Sequence, residues 1–247
     1  MTSPSPALPP ALRCAVFGAS GGIGGALAAA LAGRADVAEV HAGSRRGQAP
    51  SGGKLRPFAF DLQDEASIAA ACAAIGGPLD MVLIATGRLT RADGTGPEKS
   101  YRALNAEGMA ELFAVNTIGP ALIAKHALPL LRRDGRAVFA ALSARVGSIS
   151  DNRLGGWHAY RMGKAALNML VRNLALELAR THPQAIAVTL HPGTVDTGLS
   201  APFQRGVAAE KLFTPAFSAD ALLGVLDGLT PADSGGLYAW DGARIPY

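Results

Sequence analysis

Five of the eight residues from 18 to 25 are glycine, in the run Gly18-Ala19-Ser20-Gly21-Gly22-Ile23-Gly24-Gly25. A short apolar stretch leads into this run and an alanine- and leucine-rich stretch comes after it, so it reads as a turn from a strand into a helix. Glycines at such a turn let the backbone come close to a pyrophosphate. The helix N-terminus then offers unpaired N–H groups and a positive dipole end to phosphates. The spacing is Gly18, three residues, Gly22, one residue, Gly24, which is not the common GxGxxG. The bland alternative is a glycine-rich turn that holds nothing, but the strand before and the helix after favour dinucleotide binding.

The same segment, residues 14–33, carries no charge and is long enough to cross a membrane. Six of its residues are glycine, however, where a span or a signal peptide would be evenly apolar. It therefore reads as part of a soluble fold in the cytoplasm, with no membrane partner, and residues 1–11, with four prolines, read as a flexible arm. Hydrophobic residues make up 49% of the 247 and charged ones 17%, enough for a substantial core. Cys14 and Cys72 exclude a disulfide framework and a four-cysteine zinc site, and both read as small core residues. No metal site is expected, since none of the five histidines lies at a ligand spacing. The net charge of +4 raises the question of nucleic acid, but the arginines are scattered and do not interleave with aromatics, so no nucleic-acid partner is expected.

Short apolar runs at 13–17, 37–42, 55–60, 81–85, 137–142, 187–190 and 237–240 read as strands. Helical stretches at 23–32, 66–75, 109–131, 156–180 and 219–229 lie between them. This alternation predicts an α/β fold, a single domain over residues 12–247 with a parallel sheet covered on both faces. Residues 197–215 lack a strand pattern and make a candidate substrate loop.

Two further patterns carry chemistry. The second strand ends in Gly43-Ser44-Arg45-Arg46, where an acid would suit the ribose 2′-hydroxyl of NAD and a basic residue suits a 2′-phosphate, so NADP is favoured over NAD. Tyr160 and Lys164 sit at i, i+4 in a helical stretch and so share one face. An ammonium beside a phenol favours the phenolate and would lower the Tyr160 pKa toward a usable range.

In order and spacing, these motifs resemble those of the short-chain dehydrogenase/reductase family over nearly the whole chain after the arm. They are Gly18-xxx-Gly22-x-Gly24, Asp61, Asn116 in Val115-Asn116-xx-Gly119, Ser143, Tyr160-xxx-Lys164, and Pro192-Gly193-Thr194-Val195-Asp196-Thr197. The stretch 143–149 and Gly155-Gly156-Trp157 resemble the C-factor and sniffer-type carbonyl reductase branch. The resemblance implies a doubly wound Rossmann fold with a seven-stranded parallel sheet and NADP(H) as cofactor. It implies a small-molecule carbonyl or alcohol substrate. It implies Tyr160 as proton donor or acceptor, with Lys164 on the nicotinamide ribose. Ser143 would bond the substrate carbonyl and Asn116 would hold a water. Ser20, Gly21, Ile23, Leu62, Ala85, Thr86 and Gly87 would join the cofactor wall, with Asp61 at the adenine and Thr194, Val195 and Thr197 at the carboxamide. A homodimer or homotetramer is implied through the apolar stretch 165–178.

Three departures accompany the match. Phe17 stands where the family has threonine. Ile84-Ala85-Thr86-Gly87 replaces an Asn-Asn-Ala-Gly turn. The usual catalytic serine falls on Ala144, with Ser143 one residue early and Ser148 as a second substitute. The substrate pocket is expected from residues 144–156 and 198–215, with His158 and His191 read as structural. A rival reading is a C-factor-type signalling or regulatory protein that binds NADP(H) with little turnover.

Overall fold

A computed structural model describes residues 11–247. The expected arm, apart from Ala11, lies outside the described residues. The chain runs β1 (Leu12–Phe17), α1 (Gly22–Gly33), β2 (Val37–Ser44), β3 (Leu55–Ala59), α2 (Glu65–Ile75), β4 (Met81–Ile84), α3 (Ala106–Phe113), α4 (Gly119–Ala127), β5 (Ala137–Leu142), α5 (His158–Thr181), β6 (Ala185–His191), β7 (Thr194–Val195), β8 (Leu212–Phe213), α6 (Pro215–Gly228), β9 (Leu237–Ala239) and β10 (Arg244–Ile245). The main sheet has the order β10-β9-β6-β5-β4-β1-β2-β3. Seven of its strands are parallel, as expected. The eighth, β10, pairs antiparallel with β9 through Arg244↔Tyr238 and Ile245↔Leu237. Two residues are too few to show a periodicity, so this edge strand leaves no sequence pattern.

Alternation along each strand explains the two-sided core. Ala15, Phe17, Val82, Ile84, Phe139 and Ala141 face α2, α4 and α5. Cys14, Val16, Leu83, Val138, Ala140 and Val188 face α1 and α6. Both faces are covered, which is why the strands read as unbroken apolar runs. Both cysteines are free and buried; burial pushes their thiols up, to about 12 for Cys14 and about 11 for Cys72. Phe17, the departure at the end of β1, packs edge-on to Phe58 and Phe60 with ring centroids 5.2 and 5.1 Å away. Gly43 makes room for this cluster, since a Cβ there would sit 2.3 Å from Phe58 Cζ.

Several boundaries differ from the sequence reading for local reasons. Thr214 caps α6 by accepting from Phe217 N, and Pro215 occupies its first turn, so this helix starts four residues before the apolar pattern does. The stretch 109–131 is α3 and α4 joined by a π turn over Ala114–Ile118 and closed by a 3₁₀ turn at Leu128–Leu130. The 197–215 insert contains β8, which pairs in parallel with β7 through Thr194↔Leu212 and Val195↔Phe213. Among the described residues no helix is long and apolar enough to cross a membrane.

Candidate active site

Strand order reverses between β1 and β4, and a crevice opens at the carboxyl ends of the strands there. It consists of three joined cavities. The first, about 240 Å³, is walled by Gly18, Ser20, Ser44, Arg45, Asp61, Leu62 and residues 85–87. It shares Ser20, Ala85, Thr86 and Gly87 with a central cavity of about 410 Å³, which also meets Gly21, Gly22, Gly24, Lys164 and Tyr160. An end chamber of about 360 Å³ shares Ile23, Ser143, Tyr160, Pro192, Thr197 and Leu199 with the centre. Gly193, Thr194 and Val195 complete the expected set on the chamber's wall. Of the residues read as cofactor contacts, Arg46 alone lies off these walls.

The glycine run is shaped as its sequence demands. Gly18 has φ +99°, a region that favours glycine, and a Cβ on Gly24 would lie 2.2 Å from the Gly18 carbonyl oxygen. Gly21 caps α1 without a side chain and the first turn holds no acid, so its N–H groups and dipole are left for an anion. Two hydroxyls on the same walls, Ser44 Oγ and Thr86 Oγ1, are buried without a hydrogen-bond partner among the described residues. Such orphans are rare and costly. The cradle and the orphaned hydroxyls together fit a dinucleotide along the crevice.

Asn116 sits fully buried in the π turn, a distortion that recurs at functional sites. Its Oδ1 accepts from Arg88 N at 3.0 Å, and its Nδ2 donates to Arg88 O at 2.8 Å and Leu112 O at 3.0 Å. Both of its N–H groups are thereby spent on backbone, and the side chain ties the loop after β4 to the helix. Gly87 lies between this amide and the Lys164 ammonium, with room for no more than a small side chain.

Tyr160 and Lys164 project from the first two turns of α5, and both are almost fully buried. The helix start is set by Gly155 and Gly156 at positive φ and by Trp157 at φ +50°. Glu98, from a distant loop, accepts from Ala159 N at 3.2 Å and so caps the helix in place of a local side chain. Lys164 Nζ donates to Leu142 O at 2.8 Å and lies 5.8 Å from the centre of the Tyr160 ring. Here the structure corrects the expectation of a depressed tyrosine. Burial pushes the Tyr160 phenol up and pulls Lys164 down to about 8.

These shifts carry a pH signature. Between about pH 8 and pH 10 the unfolded chain holds the Lys164 proton that the folded chain has released, so this lysine's contribution to stability rises with pH. From about pH 8.5 the thiols of Cys14 and Cys72, kept protonated in the fold, ionise first in the unfolded chain and oppose that rise. Above about pH 10 the unfolded tyrosine ionises first and lowers stability further. Urea unfolding across this range is expected to show a native-minus-Lys164→Met difference in stability that grows from about pH 8 to pH 10, on a background that falls in both chains.

Geometry decides between the two serines. Ser143 lines both the central cavity and the end chamber, whereas Ser148 lines neither. Ser148 Oγ donates to Pro246 O and accepts from Asp151 N. Ser143 Oγ donates to Asn168 Oδ1 at 2.7 Å, and Asn168 Nδ2 donates to Gly147 O at 3.3 Å, which fixes the amide's orientation. The hydroxyl therefore turns lone pairs, not its proton, toward the cavities. Ala144 lines the chamber beside it.

The chamber also departs from its expected outline. Residues 148–156 leave it and fold against the C-terminal segment, where Ser150 N donates to Tyr247 O. His158 is off the wall, and Arg145, bonded to Asp151 at 2.6 Å, is on it. Leu89, Trp157 and His191 were not assigned to the chamber from the sequence, yet they line it beside Phe203 and Val207 of the expected loop. Trp157 packs between Phe203 at 5.3 Å and Tyr160 at 6.4 Å, edge-on to the tyrosine. The Gly155-Gly156 pair before Trp157 was the available signal, since it forces the ring into an unusual backbone position.

Comparison with known proteins agrees with this architecture. The family model described as enoyl-(acyl carrier protein) reductase matches residues 18–239. C-signal of Myxococcus xanthus is 36% identical over 140 residues, which cover 56% of this chain and 78% of that protein. Two further curated relatives are matched over 56% of their own length. The carbonyl reductase Sniffer of D. melanogaster superposes with a TM-score of 0.81 at 22% identity, covering 96% of this chain and 99% of that one. A short-chain dehydrogenase/reductase from Burkholderia multivorans with bound NADP gives 0.79 at 25% identity, covering 96% and 100%. The chain belongs to the short-chain dehydrogenase/reductase family, and its class is that of an oxidoreductase.

Proposed function

We propose that the chain is an NADP(H)-dependent oxidoreductase that interconverts a carbonyl compound and its alcohol. The observation that carries this is the placing of Tyr160 and Lys164 where a dinucleotide-sized crevice meets an apolar chamber. Arg45 on the first cavity's wall supports the 2′-phosphate form, as does the NADP bound by the Burkholderia relative. Ser44 and Thr86 would hold ribose and neighbouring groups, and the first turn of α1 the pyrophosphate.

When bound, the nicotinamide supplies or accepts the hydride. The chain's own residues do the rest. Burial keeps the Tyr160 phenol protonated, so it is a donor for a carbonyl oxygen. Lys164, with its proton held near neutrality, stands one helical turn on and is placed to restore the tyrosine's proton. Ser143, facing the chamber with lone pairs, accepts a hydrogen bond from the hydroxyl of the alcohol form. Asn116 braces the loop that bears Arg88, and Trp157, Phe203, Leu199 and Val207 exclude water. The substrate loop over 197–215 supplies three of these last four. Met162, Met169 and Leu176 are exposed at seven-residue intervals along α5, which supports a homodimer or homotetramer through that helix.

The test is oxidation of NADPH and of NADH, in parallel, against a panel of aldehydes, ketones and quinones. Turnover at least about tenfold faster with NADPH is expected on one or more of them, the free-energy equivalent of about 1.4 kcal/mol. The rival, a signalling protein that binds NADP(H), is favoured by the C-signal match and by Ala144 at the usual serine position. Tyr160→Phe separates the two readings.

A further inference from the structure

We infer that the His191 imidazole holds the substrate oxygen together with Tyr160, a role that rests on the carbonyl–alcohol reading above. His191 is the last residue of β6, and its strand neighbour across β5 is the Ser143 end, where Ser143 N donates to Leu190 O at 2.8 Å. Its ring lines the end chamber on the same wall as Ser143, Ala144 and Tyr160. The described residues form no hydrogen bond to either ring nitrogen. Nδ1 is sealed from solvent without a partner, so Nε2 is the nitrogen left open to the chamber.

The chemistry of the wall gives this nitrogen its task. A carbonyl oxygen accepts two hydrogen bonds, and polarisation grows when both are filled as negative charge develops. Tyr160 supplies one donor. Ser143 does not supply the second, because its proton is committed to Asn168. Ala144 has no polar side chain, and the Arg145 guanidinium, bonded through Nε to Asp151 and more than half exposed, is held toward solvent. Of the side chains at the ends of β5 and β6 beside Tyr160, the imidazole remains. Burial, and after it the nearby Arg145, pull its pKa down to about 4 against the opposing pull of Asp241, so it is neutral at working pH. A neutral ring has one N–H. Buried donors without partners are rarer than buried acceptors without partners, which places the proton on Nε2, facing the chamber. A neutral donor also avoids introducing a charge beside the hydride's path.

The experiment uses the full chain with His191→Phe and His191→Gln, the glutamine amide keeping an N–H donor at similar reach. On a ketone turned over by the native chain, His191→Phe is expected to lose about a hundredfold in kcat/KM with NADPH affinity within about twofold, and His191→Gln to recover at least about tenfold of that loss. A second measurement needs no turnover. Affinities for acetophenone and for its oxygen-free analogue ethylbenzene are read by tryptophan quenching, with and without NADP⁺. His191→Phe is expected to weaken acetophenone about tenfold and leave ethylbenzene unchanged. Loss of less than about threefold in kcat/KM, no recovery by glutamine, or equal shifts for the two ligands overturns the assignment. If the native chain shows no Tyr160-dependent turnover, the carbonyl–alcohol reading fails, and the paired ligands still decide whether His191 binds the oxygen.

Discussion

Tyr160→Phe is expected to lower kcat/KM by about a thousandfold while cofactor affinity stays within about twofold. Removing a positioned general acid costs a factor of about 10²–10⁴, so a thousandfold loss corresponds to about 4 kcal/mol of transition-state stabilisation. The structure gives reason to expect a clean variant. The ring is buried and packs edge-on against Trp157, and phenylalanine fills the same space. The described residues form no hydrogen bond to the phenol oxygen, so its removal breaks nothing among them. Lys164 keeps its bond to Leu142 O, and the glycine cradle is built by other residues. The readouts are steady-state rates on the best substrate of the panel, nicotinamide fluorescence on binding, and a melting curve. Unchanged rates would remove Tyr160 from the chemistry. Absent turnover in both native and variant chains, with tight NADPH binding in both, would transfer the weight to the signalling reading.

Much of this architecture is legible in the residues because parallel strands buried on both faces must be continuously apolar, and because phosphate binding needs glycines at fixed places. Ala15, Val16 and Phe17 announce a central strand, and Gly18, Gly22 and Gly24 announce the turn into α1. What escaped was decided by partners remote in sequence. The direction of the Ser143 proton depends on Asn168, twenty-five residues later, and on a carbonyl that orients its amide. The departure of residues 148–156 from the chamber depends on their bonds to Pro246 and Tyr247. The raised Tyr160 phenol depends on how deeply α5 is packed, which a four-residue spacing does not reveal. Arg45 and Arg46 are adjacent and chemically alike, and only the turn after β2 aims one of them at the crevice.

Arg45→Glu is expected to weaken NADPH by about a hundredfold or more and to leave NADH unchanged or tighter, reversing the cofactor preference. A guanidinium on a phosphate makes charge-assisted hydrogen bonds worth about 1.5–3 kcal/mol. The substitution removes these and sets a carboxylate against a dianion. On NADH the same carboxylate meets a 2′-hydroxyl and accepts its proton in a hydrogen bond, as an acid at a strand end does in NAD sites. Arg46→Glu, on a side chain off the cavity wall, is expected to act through the field alone, by less than about fivefold, and to lose even that as salt rises. Arg45 is itself exposed, so the native preference for NADPH should also shrink with ionic strength, but not vanish, because the hydrogen bonds survive screening that the long-range attraction does not. Equal losses in the two variants would mean that the phosphate is drawn by a diffuse basic rim rather than gripped by one arginine. No loss in either would place the 2′-phosphate elsewhere in the crevice, with Ser44, whose buried hydroxyl lacks a partner on the same wall, as the residue to change next.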